Sequence, residues 1–82
     1  MKIKKALICG VSGQDGTYLS KLLLEKGYQV YGGSRDAQSS NFENLKNLNI
    51  FEEIELVSIS VNDFRSVLQV IMKIKPDEIY NL

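Results

Sequence analysis

The chain has 82 residues, in which 10 lysines and arginines balance 10 aspartates and glutamates, with 1 cysteine and no histidine. A domain of this size buries only about 60% of the surface that its unfolded chain exposes, so a large catalytic cleft inside it is not expected. Balanced charge removes any general attraction to nucleic acid or an anionic membrane, the lack of histidine removes a histidine triad and a zinc site, and no apolar stretch reaches the length of a membrane span.

Met1 to Lys5 leads into an apolar run that ends at glycine after a few residues, too short for the core of a signal peptide, so the expected location is the cytoplasm. That run, Ala6 to Cys9, reads as a strand. Gly10, Gly13 and Gly16 follow at three-residue spacing, and an amphipathic pattern then resumes, giving a strand, a phosphate-binding turn and a helix. The start of a helix leaves backbone N–H groups unpaired and carries a partial positive charge, so it attracts a pyrophosphate without a basic side chain. Gly10 would permit the tight turn, Gly13 would let the backbone approach the phosphates, and Gly16 would let the helix lie close to the strand. Cys9, at the end of the strand, reads as a small buried residue rather than a nucleophile.

Tyr18, Leu19, Leu22 and Leu23 recur at helical spacing, with Ser20, Lys21, Glu25 and Lys26 largely on the other side, and Gly27 is the natural stop. Tyr28 to Tyr31 reads as a second strand ending in Gly32-Gly33, and Ser34 to Asn41 as a polar loop. Phe42, Leu45 and Leu48 suggest a short helix capped by Ser40 or Asn41. Glu53 to Val57 alternates as a third strand. Asp63 is a good N-cap for a helix carrying Phe64, Val67, Leu68, Ile71 and Ile74, closed by Lys75-Pro76, and Glu78 to Leu82 is a fourth strand. Strands separated by helices imply parallel pairing through right-handed crossovers. The expected fold is therefore α/β, the first half of a Rossmann-type doubly wound sheet with strand order 3-2-1-4.

The end of the second strand holds Gly33, Ser34 and Arg35. Enzymes that prefer NAD usually place a carboxylate here for the ribose hydroxyls, whereas a nearby arginine accommodates the 2′-phosphate of NADP. Gly33 leaves room for that phosphate, and Arg35 offers a forked cation suited to its oxygens. Asp36 keeps NAD open as the lesser alternative, should its side chain face the ribose instead.

Gly10-Val-Ser-Gly-Gln-Asp-Gly16, followed by Tyr18-Leu19 and by Leu22-Leu-Leu-Glu-Lys-Gly-Tyr28, resembles the amino terminus of the GDP-mannose 4,6-dehydratases, which are extended short-chain dehydrogenases/reductases. The resemblance continues to Lys75-Pro-Asp-Glu-Ile-Tyr-Asn-Leu82 and so covers nearly the whole chain. All extended members share the glycine pattern, while Gln14-Asp15 within it is more specific to these dehydratases. It implies that Gly10, Val11, Ser12, Gly13, Gln14, Asp15 and Gly16 hold the pyrophosphate and adjacent ribose. It further implies that Arg35, beside Asp36, meets the 2′-phosphate, that Ser60 and Val61 lie near the adenine, and that Leu82 begins a segment lining the cofactor. The chain departs from the family at Cys9, where threonine is usual, at Asp36, where a second arginine is usual, and at Ser60-Val61, which replaces an Asp-Leu pair.

By the same resemblance the cofactor is NADP, the substrate of a full-length parent is GDP-mannose, and that parent is a homo-oligomer. In the family the cofactor oxidises C4 of the hexose, water leaves across C5 and C6, and the hydride returns to C6. The tyrosine and lysine at four-residue spacing, the serine or threonine, and the glutamate of that reaction lie beyond the fourth strand. Tyr18, Tyr28, Tyr31 and Tyr80 have no lysine four residues later, so the chain alone is expected to bind the cofactor without catalysing the reaction. The alternatives are a related sugar-nucleotide reductase or epimerase sharing the same first half, and a non-catalytic nucleotide-binding module. An apolar, unpaired fourth strand, with Ile79, Tyr80 and Leu82, favours a piece of a longer enzyme over a free-standing module.

Overall fold

Four strands, Lys5–Cys9 (β1), Gln29–Ser34 (β2), Glu55–Ser58 (β3) and Glu78–Asn81 (β4), pair in parallel in the order β3-β2-β1-β4 in the computed structural model of the chain. The structure describes residues 2–35 and 42–82. The strands are joined by helices Gln14–Glu25 (α1), Glu43–Asn47 (α2) and Phe64–Ile74 (α3). This is the α/β order expected from the alternation of strand and helix. Among the described residues, no helix is long and apolar enough to cross a membrane.

Alternation along β1 divides the core in two. Ala6 and Ile8 face a cluster with Val11, Leu23, Val30, Phe42, Leu45, Ile50 and Ile54, whereas Leu7 and Cys9 face one with Tyr31, Ile59 and Ile74. Leu23 belongs to α1 and Leu45 to α2, so these helices cover the first face, while α3 supplies Ile74, Val67 and Val70 to the second.

Helix α1 meets the sheet through a different stripe from the expected apolar one. Gly16, Thr17, Ser20 and Leu23 are buried, while Tyr18 and Leu22 are exposed. The cause is close approach: a Cβ on Gly16 would lie 2.5 Å from the Gly10 carbonyl oxygen and 2.9 Å from Val11 Cα. Only small side chains fit under a helix so near, and the buried hydroxyls are satisfied on the helix's own carbonyls. Ser20 Oγ donates to Gly16 O at 2.7 Å, and Thr17 Oγ1 to Gly13 O at 2.8 Å. The helix stops at Gly27 as expected. Its φ of 87° is left-handed, and the Tyr28 N–H to Leu23 O and Gly27 N–H to Leu24 O bonds close a Schellman motif.

Strand β2 starts one residue later than expected and runs on through Gly32 and Gly33 to Ser34. These glycines mark tight packing instead of a strand end. A Cβ on Gly32 would lie 2.8 Å from Val11 Cγ1, and one on Gly33 would lie 2.6 Å from Ile59 Cγ2. Strand β3 is likewise shorter at its start, because Phe51–Glu53 forms a 3-10 turn, with the Glu53 N–H donating to Ile50 O. Phe42 is the N-cap of α2; the caps expected at Ser40 or Asn41 lie outside the described residues.

Helix α3 begins as expected, with Asp63 Oδ1 accepting the Arg65 N–H at 3.0 Å, and ends where Lys75 turns left-handed at φ 54° before Pro76. Its expected apolar face is only partly used. Ile74 is buried, but Phe64 is 79% exposed and Leu68 42%.

Candidate functional site

The site is built where β1 ends. Gly10 takes φ 88°, and both its N–H and that of Val11 donate to Gly33 O, at 2.9 and 3.3 Å, tying the turn to β2. The Gly13 N–H then donates to Gly10 O at 3.2 Å, and Gly13 caps α1 without any side-chain hydrogen bond. The first-turn N–H groups of a helix have no partners within it, so this turn presents donors and a positive dipole end. Gly16 lets the helix lie on the turn. At Gly13, by contrast, an added Cβ would find its nearest atom, Gly10 O, at 3.6 Å, so the protein's own packing does not require glycine there.

Beside this turn, at the carboxyl ends of the strands, lies a cleft of about 390 Å³. The turn contributes Gly10 and Ser12, and the ends of the strands contribute Cys9, Gly33 to Arg35, Ile59, Val61, Asn81 and Leu82. Among these lining residues Arg35 has the single charged side chain, and that side chain favours an anion. Burial raises the Cys9 thiol above its usual value and keeps it protonated, which suits a wall residue better than a nucleophile.

Of the residues singled out from the sequence, the structure brings Gly10, Ser12, Arg35, Val61 and Leu82 together around the cleft. Gly13, Gln14 and Asp15 sit at the exposed start of α1. Val11 is fully buried, and its side chain packs under Gly32, so what it offers is support for the turn and not a surface of the cleft. Gly16 is buried as well. Ser60 lies between two lining residues without lining the cleft itself. Asp36 lies outside the described residues. The space expected beside Gly33 is not open: Ile59 fills it, so glycine there serves the fit of the β3–α3 connection and not the reception of a phosphate.

Sequence reasoning passed over Cys9, Ser34, Ile59 and Asn81 as lining residues. The signal was available, since an all-parallel sheet brings the last residue of every strand to one edge, where ligands bind. At the opposite edge the tyrosines do structural work. Tyr28 and Tyr80 donate to the two oxygens of Glu78, at 2.8 and 2.5 Å, holding that carboxyl below its usual range, first through Tyr80 and then through Tyr28.

The family model described as GDP-mannose 4,6 dehydratase matches residues 7–82. The GDP-mannose 4,6-dehydratase of Yersinia enterocolitica is 41% identical over 87 residues, covering 98% of this chain and 23% of its own length. That of Vibrio cholerae is 39% identical over 84 residues, covering 96% of this chain and 23% of its own. Among solved structures, the Bordetella bronchiseptica enzyme WbmH in complex with NAD+ superposes with a TM-score of 0.76 at 31% identity, over 99% of this chain and 26% of that one. The chain thus spans about a quarter of the length of the curated relatives that it matches.

Proposed function

This chain belongs to the GDP-mannose 4,6-dehydratase family, and on that footing we propose that it is the NADP-binding portion of an enzyme converting GDP-mannose to its 4-keto-6-deoxy product. One observation carries the proposal. The glycine turn that leads into a helix start without a side-chain cap lines the same cleft as a guanidinium, one suited to a pyrophosphate and the other to a phosphorylated ribose.

The donors at Gln14 and Asp15 would take the pyrophosphate, and Arg35 the 2′-phosphate, while Ile59 and Val61 offer an apolar surface beyond it. Gly13 suits the approach of the pyrophosphate, because the room above it is not used by the protein. A bound nicotinamide supplies hydride acceptance and return, and the residues here would hold and orient it. No group of this chain is assigned a catalytic step.

The test is a comparison of NADPH with NADH. NADPH should bind more tightly by roughly tenfold or more, the scale of a charge-assisted hydrogen bond, and Arg35→Ala should remove most of that difference. Equal affinities in the unaltered chain would defeat the NADP assignment.

A further inference from the structure

Strand β3 is two places from β1 in the sheet, so the connection from β3 to α3 forms the wall of the cleft farthest from the glycine turn. A dinucleotide seated with its pyrophosphate on the turn and its ribose at Arg35 directs its base toward Ile59 and Val61. Hydrogen bonds among the described residues, three of which bear on the cleft, hold that wall. The Ile59 N–H donates to Ser34 O at 3.0 Å, and the Asp63 N–H donates to Ser60 O at 3.0 Å. The third uses a side chain: the Ser60 N–H donates to Ser66 Oγ at 3.0 Å.

Ser66 stands at the third position of α3, where a polar side chain commonly reaches back to the N-cap amide. Here the Asp63 amide is already bonded to Ser60 O, and Ser66 reaches past it to an amide three residues earlier. The helix start does not depend on this hydroxyl, because Asp63 caps Arg65 directly. Its bond therefore acts on the wall, and its partner lies between the two lining residues.

We infer that Ser66 is a positioning residue for the nucleotide base, fixing the Ile59–Val61 wall through the Ser60 amide. The inference rests on the dinucleotide reading above. It separates two parts of one site, since the pyrophosphate turn is held by bonds to Gly33 in which Ser66 takes no part.

The experiment uses the 82-residue chain, titrated with NADPH and separately with inorganic pyrophosphate, as Ser66→Ala and Ser66→Thr variants, with amide exchange read at Ser60. Ser66→Ala should weaken NADPH binding by roughly three- to tenfold, the scale of one lost hydrogen bond, and speed exchange at Ser60. Pyrophosphate binding should stay unchanged, and Ser66→Thr, which keeps the hydroxyl, should restore NADPH affinity. Unchanged NADPH affinity in Ser66→Ala, or an equal loss for both ligands, overturns the positioning role while leaving the dinucleotide reading intact. Failure of the unaltered chain to bind NADPH overturns both.

Discussion

The two faces of the sheet are finished to different degrees. On one, α1, α2 and the Phe51 turn close over Ile8, Val11, Val30, Leu45 and Ile54; Phe42 and Phe51 pack with ring centroids 5.7 Å apart, and Lys46 Nζ lies 5.0 Å from the Phe51 ring centre. On the other, α3 alone covers Leu7, Cys9, Tyr31 and Ile59, and leaves Phe64, Leu68 and Met72 exposed on its own flank. Ile79 is exposed on that same face, because its register partner is Leu7. The closed face can hold its shape through packing alone, whereas the open face keeps room to shift. The cleft draws its rear wall, at Ile59, from the open side.

The largest effects should come from truncating β1, whose neighbouring residues Leu7 and Ile8 are both essentially fully buried, one on each face. Each change to alanine should cost about 2–5 kcal/mol, depending on how far the surroundings collapse into the gap. Ile8→Ala should fall toward the upper end and Leu7→Ala toward the lower, because α3 can settle while the closed face cannot. Urea denaturation measures both, and equal losses would break the contrast between the faces.

A second pair sharpens it. Gly32→Ala would push a Cβ against two Val11 methyl carbons and one of Ile54, on the closed face, whereas Gly33→Ala would meet a single methyl of Ile59. Overpacking a tight core costs about 1–3 kcal/mol, and Gly32→Ala should lie in that range. Gly33→Ala should be milder in stability but should weaken NADPH binding, since Ile59 can give way only by moving the cleft wall. A larger stability loss for Gly33→Ala would contradict the assignment of the loose side.

What was legible in the sequence followed from local chemistry and handedness. Gly27, Asp63 and Lys75-Pro76 mark helix ends by caps and forbidden angles, and right-handed crossovers leave 3-2-1-4 as the natural strand order. What was not legible depended on distance between elements. Thr17 and Ser20 read as polar yet lie inside, since nothing in a one-dimensional pattern reports that Gly16 brings α1 against the turn. Gly32-Gly33 reads as a strand end for the same reason: Val11 and Ile59, which need the space, come from distant segments. The glycine turn and Arg35 were visible as parts of a site, while Ile59 and Asn81 became so only once four strands ended at one edge.

The amino-terminal edge of the sheet offers a pH-dependent probe. Glu78 is held below its usual range by hydrogen bonds from Tyr80 and Tyr28, and Asp77 chiefly by the backbone N–H of Lys5, at 2.8 Å. A carboxyl with a depressed folded value contributes stability above its unfolded value and loses it as pH falls through the folded one. Both tyrosines are raised by their hydrogen bonds to Glu78, so their contribution is complete below the unfolded tyrosine value and is lost as pH rises through the folded ones. Glu78→Gln should therefore flatten the acid limb of a stability profile and also lower the pH at which the tyrosines ionise. Unchanged tyrosine titration would show that this clamp does not bind β4 to the start of β2.

The smallest effect on stability, and the most informative about the open face, should come from its exposed flank. Phe64, Leu68 and Met72 recur every four residues on one side of α3, at 79%, 42% and 66% exposure, so removing their bulk creates no cavity. Changing all three to serine should alter unfolding by about 0.5 kcal/mol or less per site beyond the helix-propensity cost of serine. Contiguous exposed apolar surface beside an unpaired strand edge promotes association, so sedimentation should show the unaltered chain self-associating with rising concentration and the variant doing so less. If the triple serine variant loses as much stability as Leu7→Ala, these side chains are part of the core and the second face is closed. If instead stability holds and self-association falls, the flank is surface that the fold leaves for another partner, and the asymmetry between the two faces is a property of the sequence in α3.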